Sequence, residues 1–140
     1  MILVIGIGHP LRRDDAVGLW IAQHLEEREG VKVLGVQDLT PELIAQVAGA
    51  DLVIFVDARC GAGPVRWERI KPGPTPPLSH TLTPQGLLSW TARLFGTAPE
   101  AWLVTVPARD FSVGEGLSPR TRLAAEALLR RLAAYLGGEE

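Results

Sequence analysis

Carboxylates occupy the positions from which this sequence could do chemistry. Asp14 and Asp15 close the loop Gly6-Ile7-Gly8-His9-Pro10-Leu11-Arg12-Arg13 that follows the apolar run Ile2-Leu3-Val4-Ile5. Asp57 directly follows a second run, Leu52-Val53-Ile54-Phe55-Val56, and Asp38 lies just past a third, Val31–Val36. An acid beside so apolar a strand is costly to desolvate unless it is paired, hydrogen-bonded or bound to a cation. Acids at a helix start also cap free N–H groups and offset the helix dipole, but one cap needs one acid. Two adjacent carboxylates point in different directions, so one of the Asp14–Asp15 pair can cap while the other faces open space. His80, in Leu78-Ser79-His80-Thr81, is the histidine that could join them. Two carboxylates and one imidazole, Asp15, Asp57 and His80, with open positions left over, suit a metal bound for exchange or chemistry rather than for structure.

The elements that would position these groups alternate along the chain. Ile2–Ile5 reads as a strand buried on both faces, and apolar residues at Val17, Trp20, Ile21, Ala22 and Leu25 give the following helix. Val31–Val36 is a second strand. Thr40-Pro41-Glu42 opens a short helix, with Thr40 as N-cap and Pro41 at the first helical position, closing at Gly49. Leu52–Val56 is the third strand, ending in Asp57. Val65–Ile70 alternates as a half-buried edge strand, and the prolines between Pro72 and Pro77 make a loop. A helix from about Pro84 to Phe95, with Leu87, Leu88, Thr91 and Leu94 on one side, leads to a last core strand, Ala101–Val106. Ser118-Pro119 caps a terminal helix whose expected apolar stripe is Ala124, Leu128, Leu132 and Tyr135. The expected fold is α/β: a three-layer α/β/α sandwich around a mostly parallel, twisted sheet of about five strands, in one domain over residues 1–140. In such sheets ligands bind beyond the carboxyl ends of the strands, which is where Asp15, Asp38 and Asp57 fall.

Composition removes several function classes. A formal net charge of -2 provides no basic field for nucleic acid or for an anionic membrane. No apolar run reaches the roughly 18 residues of a spanning helix, and the N-terminal run lacks the features of a signal peptide. The single Cys60 excludes an internal disulfide and a Cys-rich zinc site, so a cytoplasmic location is expected. Gly6 and Gly8 begin a dinucleotide fingerprint, but Leu11 stands where the third glycine belongs, and Asp14 and Asp15 put negative charge where pyrophosphate would sit.

The ordered run Ile5-Gly6-Ile7-Gly8-His9-Pro10-Leu11-Arg12-Arg13-Asp14-Asp15-Ala16-Val17-Gly18 resembles the N-terminal motif of the nickel–iron hydrogenase maturation endopeptidases. Phe55-Val56-Asp57-Ala58, Ser79-His80 and Gly114-Glu115-Gly116-Leu117-Ser118-Pro119 are similar to that family's later signatures, in the same order. The resemblance implies an aspartic-type endopeptidase that trims a C-terminal peptide from a hydrogenase large-subunit precursor. Nickel carried by the substrate would be the recognition signal, with no tightly bound cofactor. It implies Asp15, Asp57 and His80 as the residues that meet the metal, and leaves Asp15, Asp57 and Asp38 open as the general base. His9 stands where the family has Asn, and reads either as a surface loop residue or as a fourth ligand. Gln37-Asp38-Leu39-Thr40-Pro41 replaces the family's Gly-Gly-Thr segment, which keeps a second reading in view: a non-catalytic paralogue that binds a metal or partner protein on the same fold.

Overall fold

Continuous β-branched and aliphatic residues make Ile2–Ile7 (β1) a strand with no polar face, and it lies inside the sheet with Leu3 to Ile7 buried. The computed structural model describes residues 1–138. The other strands are β2 (Val31–Val36), β3 (Leu52–Cys60), β4 (Arg66–Ile70) and β5 (Glu100–Ala108), and the spatial order is β2-β1-β3-β5-β4. All pairings are parallel except that of β4 with β5. The helices are α1 (Val17–His24), α2 (Ile44–Ala48), α3 (Pro84–Phe95) and α4 (Pro119–Leu136). Alternate side chains of each central strand serve opposite layers. Leu3, Ile5, Val53, Phe55 and Ala101 pack with α2 and α3, whereas Val4, Ile54, Val56 and Val104 pack with α1 and α4. The α/β/α sandwich around a mostly parallel five-stranded sheet is therefore the observed fold. Among the described residues no helix is long and apolar enough to cross a membrane.

Several local expectations shift. β3 does not stop at Asp57: it runs on to Cys60 because β5 extends beside it, pairing Asp57 with Thr105 and Cys60 with Ala108. The short helix after Thr40 divides into a 3-10 turn, Pro41–Leu43, and α2; Thr40 keeps the N-cap position, but its side chain makes no capping hydrogen bond. In α3, Thr83 Oγ1 accepts the Gly86 amide at 2.9 Å and Gly96, at φ 85°, closes the helix. Leu94 is 60% exposed, so the buried face of α3 is Leu87, Leu88 and Thr91. The buried stripe of α4 is Thr121, Ala125, Leu128, Leu132 and Leu136, with Tyr135 turned outward. The alanines of α4 fit either phase of the helical period, and tertiary packing chose the one that puts Leu136 inward.

Candidate active site

The chain leaves β1 through α1 to β2 on one side, then crosses through α2 on the opposite face of the sheet to β3 on the other. The rim above β1 is thus a topological switch point, where diverging connections leave a crevice. Register opens it further. β1 pairs with β3 only as far as Gly6–Val56, so Asp57 is the first residue of β3 with no neighbour on that side. The loop after β1 returns across this gap as a 3-10 turn, Arg13–Ala16, which carries Asp15.

Glycine is what lets that turn come close. A Cβ on Gly8 would lie 2.3 Å from the Asp15 carbonyl oxygen. One on Gly18 would lie 2.2 Å from the Ile7 oxygen and 2.4 Å from the Val56 oxygen, and one on Gly6 would meet the Gly18 oxygen at 2.0 Å. None of these distances is physically possible for a side-chain carbon. The glycines that begin a dinucleotide fingerprint serve here to seat the start of α1 on β1 and β3.

Two carboxylates meet as a result. Asp57 is half-buried, its Oδ1 accepts the Ala58 amide at 2.8 Å, and its Oδ2 makes no hydrogen bond among the described residues. Burial pushes its pKa up from 3.8 to about 6; the Ala58 hydrogen bond opposes the shift and the negative charge of Asp15 reinforces it. Asp15 is also half-buried, and its Oδ2 accepts the His9 amide at 3.1 Å. A carboxyl that exchanges its proton near neutrality, with a free oxygen beside a second carboxylate, suits both cation contact and proton transfer.

Asp14 points the other way. It is fully buried, and the cap expected for its own helix is instead supplied to the start of α4. Its Oδ1 accepts the Ser118 amide at 2.7 Å, and its Oδ2 accepts the Arg109 and Asp110 amides at 3.1 and 3.0 Å and the Ser118 and Thr121 hydroxyls, each at 2.8 Å. Burial alone would raise its pKa, but these hydrogen bonds outweigh it and hold the group at about 2. Ser118 keeps the N-cap position of α4 but donates its hydroxyl to Asp14 and makes no side-chain cap. Sequence reasoning missed this partnership. The only signal was a Ser and a Thr three residues apart at a helix start, and their acceptor lies more than a hundred positions earlier.

The remaining sequence candidates are placed as follows. His80 is exposed on the segment before α3, which an antiparallel bridge from Leu82 to Leu39 ties to the end of β2, the Leu82 amide donating to the Leu39 oxygen at 2.8 Å. Trp90 Nε1 anchors the preceding proline loop on the Pro76 oxygen at 2.9 Å. Among the described residues no three His, Cys, Asp or Glu side chains form a group able to hold an ion, so His80 is not drawn in with Asp15 and Asp57. Asp38 is exposed on the bend after β2, and the acid felt by Asp57 is Asp15. His9 is exposed and its Nδ1 accepts the Leu11 amide at 3.2 Å, while its own amide donates to Asp15. The arginines brace loops. Arg59 donates to Thr105 Oγ1 at 2.9 Å and to the Pro64 oxygen at 2.8 Å, and Arg13 donates to the Glu115 oxygen at 3.2 Å. Cys60 is exposed at the end of β3.

No protein-family model and no curated protein sequence matches the chain significantly. Solved structures do. A NiFe hydrogenase maturation protease, HycI, from Thermococcus kodakarensis KOD1 superposes with a TM-score of 0.75 at 25% identity, over 97% of this chain and 92% of that one. The solution structure of an endopeptidase from Escherichia coli gives 0.73 at 27% identity, over 99% and 94% of the two chains. The hydrogenase maturating endopeptidase HybD from E. coli gives 0.70 at 26% identity, over 98% and 92%. Consistent similarity to these proteins over nearly the whole chain supports assignment to the nickel–iron hydrogenase maturation endopeptidases. In this chain the N-terminal motif divides into two jobs. Its glycines and Asp14 build the turn, and Asp15 is the residue the turn presents to Asp57.

Proposed function

We propose that this protein is an endopeptidase that removes a C-terminal peptide from a hydrogenase large-subunit precursor after nickel has been inserted. Asp15, Asp57 and His80 are the side chains that meet the substrate-borne metal. Similarity to hydrogenase maturation endopeptidases supports the endopeptidase activity and the precursor as partner in general terms. The observation that carries the finer reading is Asp57, a carboxyl raised to about 6 at a switch-point rim, with Asp15 beside it and one oxygen free.

The chemistry follows from that proton affinity. A cation arriving with the substrate replaces the proton on Asp57 and screens its repulsion from Asp15, so an unloaded precursor gains less from docking than a loaded one. His80 would close on the metal only when the substrate brings it, because its segment is tied down at Leu82 and Pro76 while the side chain itself lies in solvent. Hydrolysis then needs a base for the proton of the attacking water. In the metal-free site Asp57 holds a proton about a hundredfold better than a free Asp, near 3.9, so below about pH 6 the proton competes with the metal for it, and the base is one of Asp15, Asp57 and Asp38. An acid limb near pH 6 in the processing rate, absent from an Asp57→Asn variant with residual activity, identifies Asp57 as the group whose proton must leave. The direct test of the function is mass spectrometry of nickel-loaded and nickel-free precursor incubated with the protein. The loaded form alone should lose its C-terminal peptide, and an unchanged mass for both would overturn the assignment.

One observation favours the binding-only alternative: His80 stands apart from the two acids. That reading predicts co-purification with the loaded precursor and no change in its mass.

A further inference from the structure

Asp14 is the most heavily hydrogen-bonded side chain among the described residues, yet it does not face the rim. Its five donors come from the two residues that follow β5 and from the N-cap and first turn of α4, between 95 and 107 residues away in sequence. The backbone around it is tied to the same segment. The Asp14 amide donates to the Asp110 oxygen at 2.9 Å, the Arg13 amide to the Gly114 oxygen at 3.2 Å, and the Gly114 amide to the Leu11 oxygen at 2.9 Å. Between these anchors Arg13 is the only described residue other than glycine with positive φ, 40°. That conformation turns the chain so that consecutive carboxylates face opposite ways, Asp14 into the protein and Asp15 toward Asp57. A non-glycine residue persists there only where its surroundings over-determine it.

We propose that Asp14 is a positioning residue: by gathering the Arg109, Asp110 and Ser118 amides with the Ser118 and Thr121 hydroxyls, its buried carboxylate holds the Arg13 turn that presents Asp15 to the reacting rim. The catalytic part of this inference rests on the endopeptidase reading; the geometric part does not. Asn in place of Asp14 has the same shape but only one acceptor oxygen, so its NH2 group faces either the Ser118 amide or the Arg109 and Asp110 amides, donor against donor. The turn then loses its tether while α4 and the sheet keep their packing.

The His9 amide reports the outcome without any assay of activity, because it donates to Asp15 Oδ2 and to nothing on Asp14. In Asp14→Asn its exchange with solvent should quicken by roughly tenfold or more and its resonance should move, while the Ala58 amide on Asp57 stays as in the wild type. Processing of nickel-loaded precursor should lose about tenfold or more in kcat with KM within roughly twofold, the mark of a misplaced reacting group rather than lost docking. If Asp14→Asn does not fold, the double variant Ser118→Ala with Thr121→Val removes two hydroxyl donors and leaves three amides. It should quicken His9 exchange by a smaller factor, on the order of threefold. An unmoved His9 amide in either folded variant, or a moved one with kcat unaltered, overturns the proposal. If the wild type does not process the precursor at all, the endopeptidase reading fails, and the His9 amide still decides whether Asp14 holds the turn.

Discussion

Replacing Asp57 with Asn should stabilise the protein at neutral pH while slowing its proposed activity by about a hundredfold or more. The side-chain amide so introduced would keep an oxygen as acceptor for the Ala58 N–H, which Asp57 Oδ1 accepts at 2.8 Å, and would remove the negative charge from a half-buried position beside Asp15. A pKa raised from 3.8 to about 6 means that the folded protein disfavours the ionised form relative to the unfolded chain. Below about pH 4 Asp57 is neutral in both states and the substitution changes little. The cost of ionisation builds between roughly pH 4 and 6 and is complete above 6. Two pKa units correspond to about 3 kcal/mol, and solvent reaching a half-buried rim reduces this to about 1–2 kcal/mol. For a domain of this size that is an increase in Tm of about 3–8 °C at pH 7, shrinking to nothing near pH 4. Thermal melts of wild type and variant from pH 4 to pH 8, followed by circular dichroism, read the difference directly. A variant no more stable than wild type at pH 7, or a gap independent of pH, would show that burial beside Asp15 does not burden the carboxylate.

Three other perturbations test separate parts of the site. The rate constant kcat/KM for processing should fall below about pH 6, approaching tenfold per pH unit as Asp57 takes up its proton, and a profile flat to pH 5 would exclude Asp57 from the reaction. Gly8→Ala should cost about 1–3 kcal/mol in a denaturant melt and most of the activity, since the new methyl would lie 2.3 Å from the Asp15 oxygen; a fully active variant would show that the turn has room to retreat. His80→Gln should leave stability within about 0.5 kcal/mol, because the side chain is exposed, while weakening processing of nickel-loaded precursor by roughly tenfold or more. Equal processing rates for wild type and His80→Gln would remove His80 from the metal contact.

Much of this arrangement is legible in the sequence because it depends on local pattern. Ile2–Ile5 and Leu52–Val56 are apolar without interruption, as strands covered on both faces must be, and alternation from Val65 to Ile70 marks the edge. Asp15 and Asp57 could be named from strand exits alone, since a parallel sheet brings those exits to one rim. What escaped depends on partners distant in the chain. The length of β3 past Asp57 is set by β5, the phase of α4 by the layer beneath it, and the role of Asp14 by donors at Arg109, Asp110, Ser118 and Thr121. Gly6, Gly8 and Gly18 show the same limit. Gly6 and Gly8 read only as an incomplete dinucleotide fingerprint, whereas what the three glycines permit is close approach to the carbonyls of β1, β3, α1 and the turn carrying Asp15.

The central claim is that Asp15 and Asp57 act together on a nickel-loaded precursor. Its most direct test is the rate at which wild type, Asp15→Asn and Asp57→Asn release the C-terminal peptide from that precursor, followed by intact-mass spectrometry on proteins shown to be folded. The wild type should release the peptide and each variant should do so at least about a hundredfold more slowly, with the nickel-free precursor untouched throughout. Release at the wild-type rate by either folded variant would contradict it.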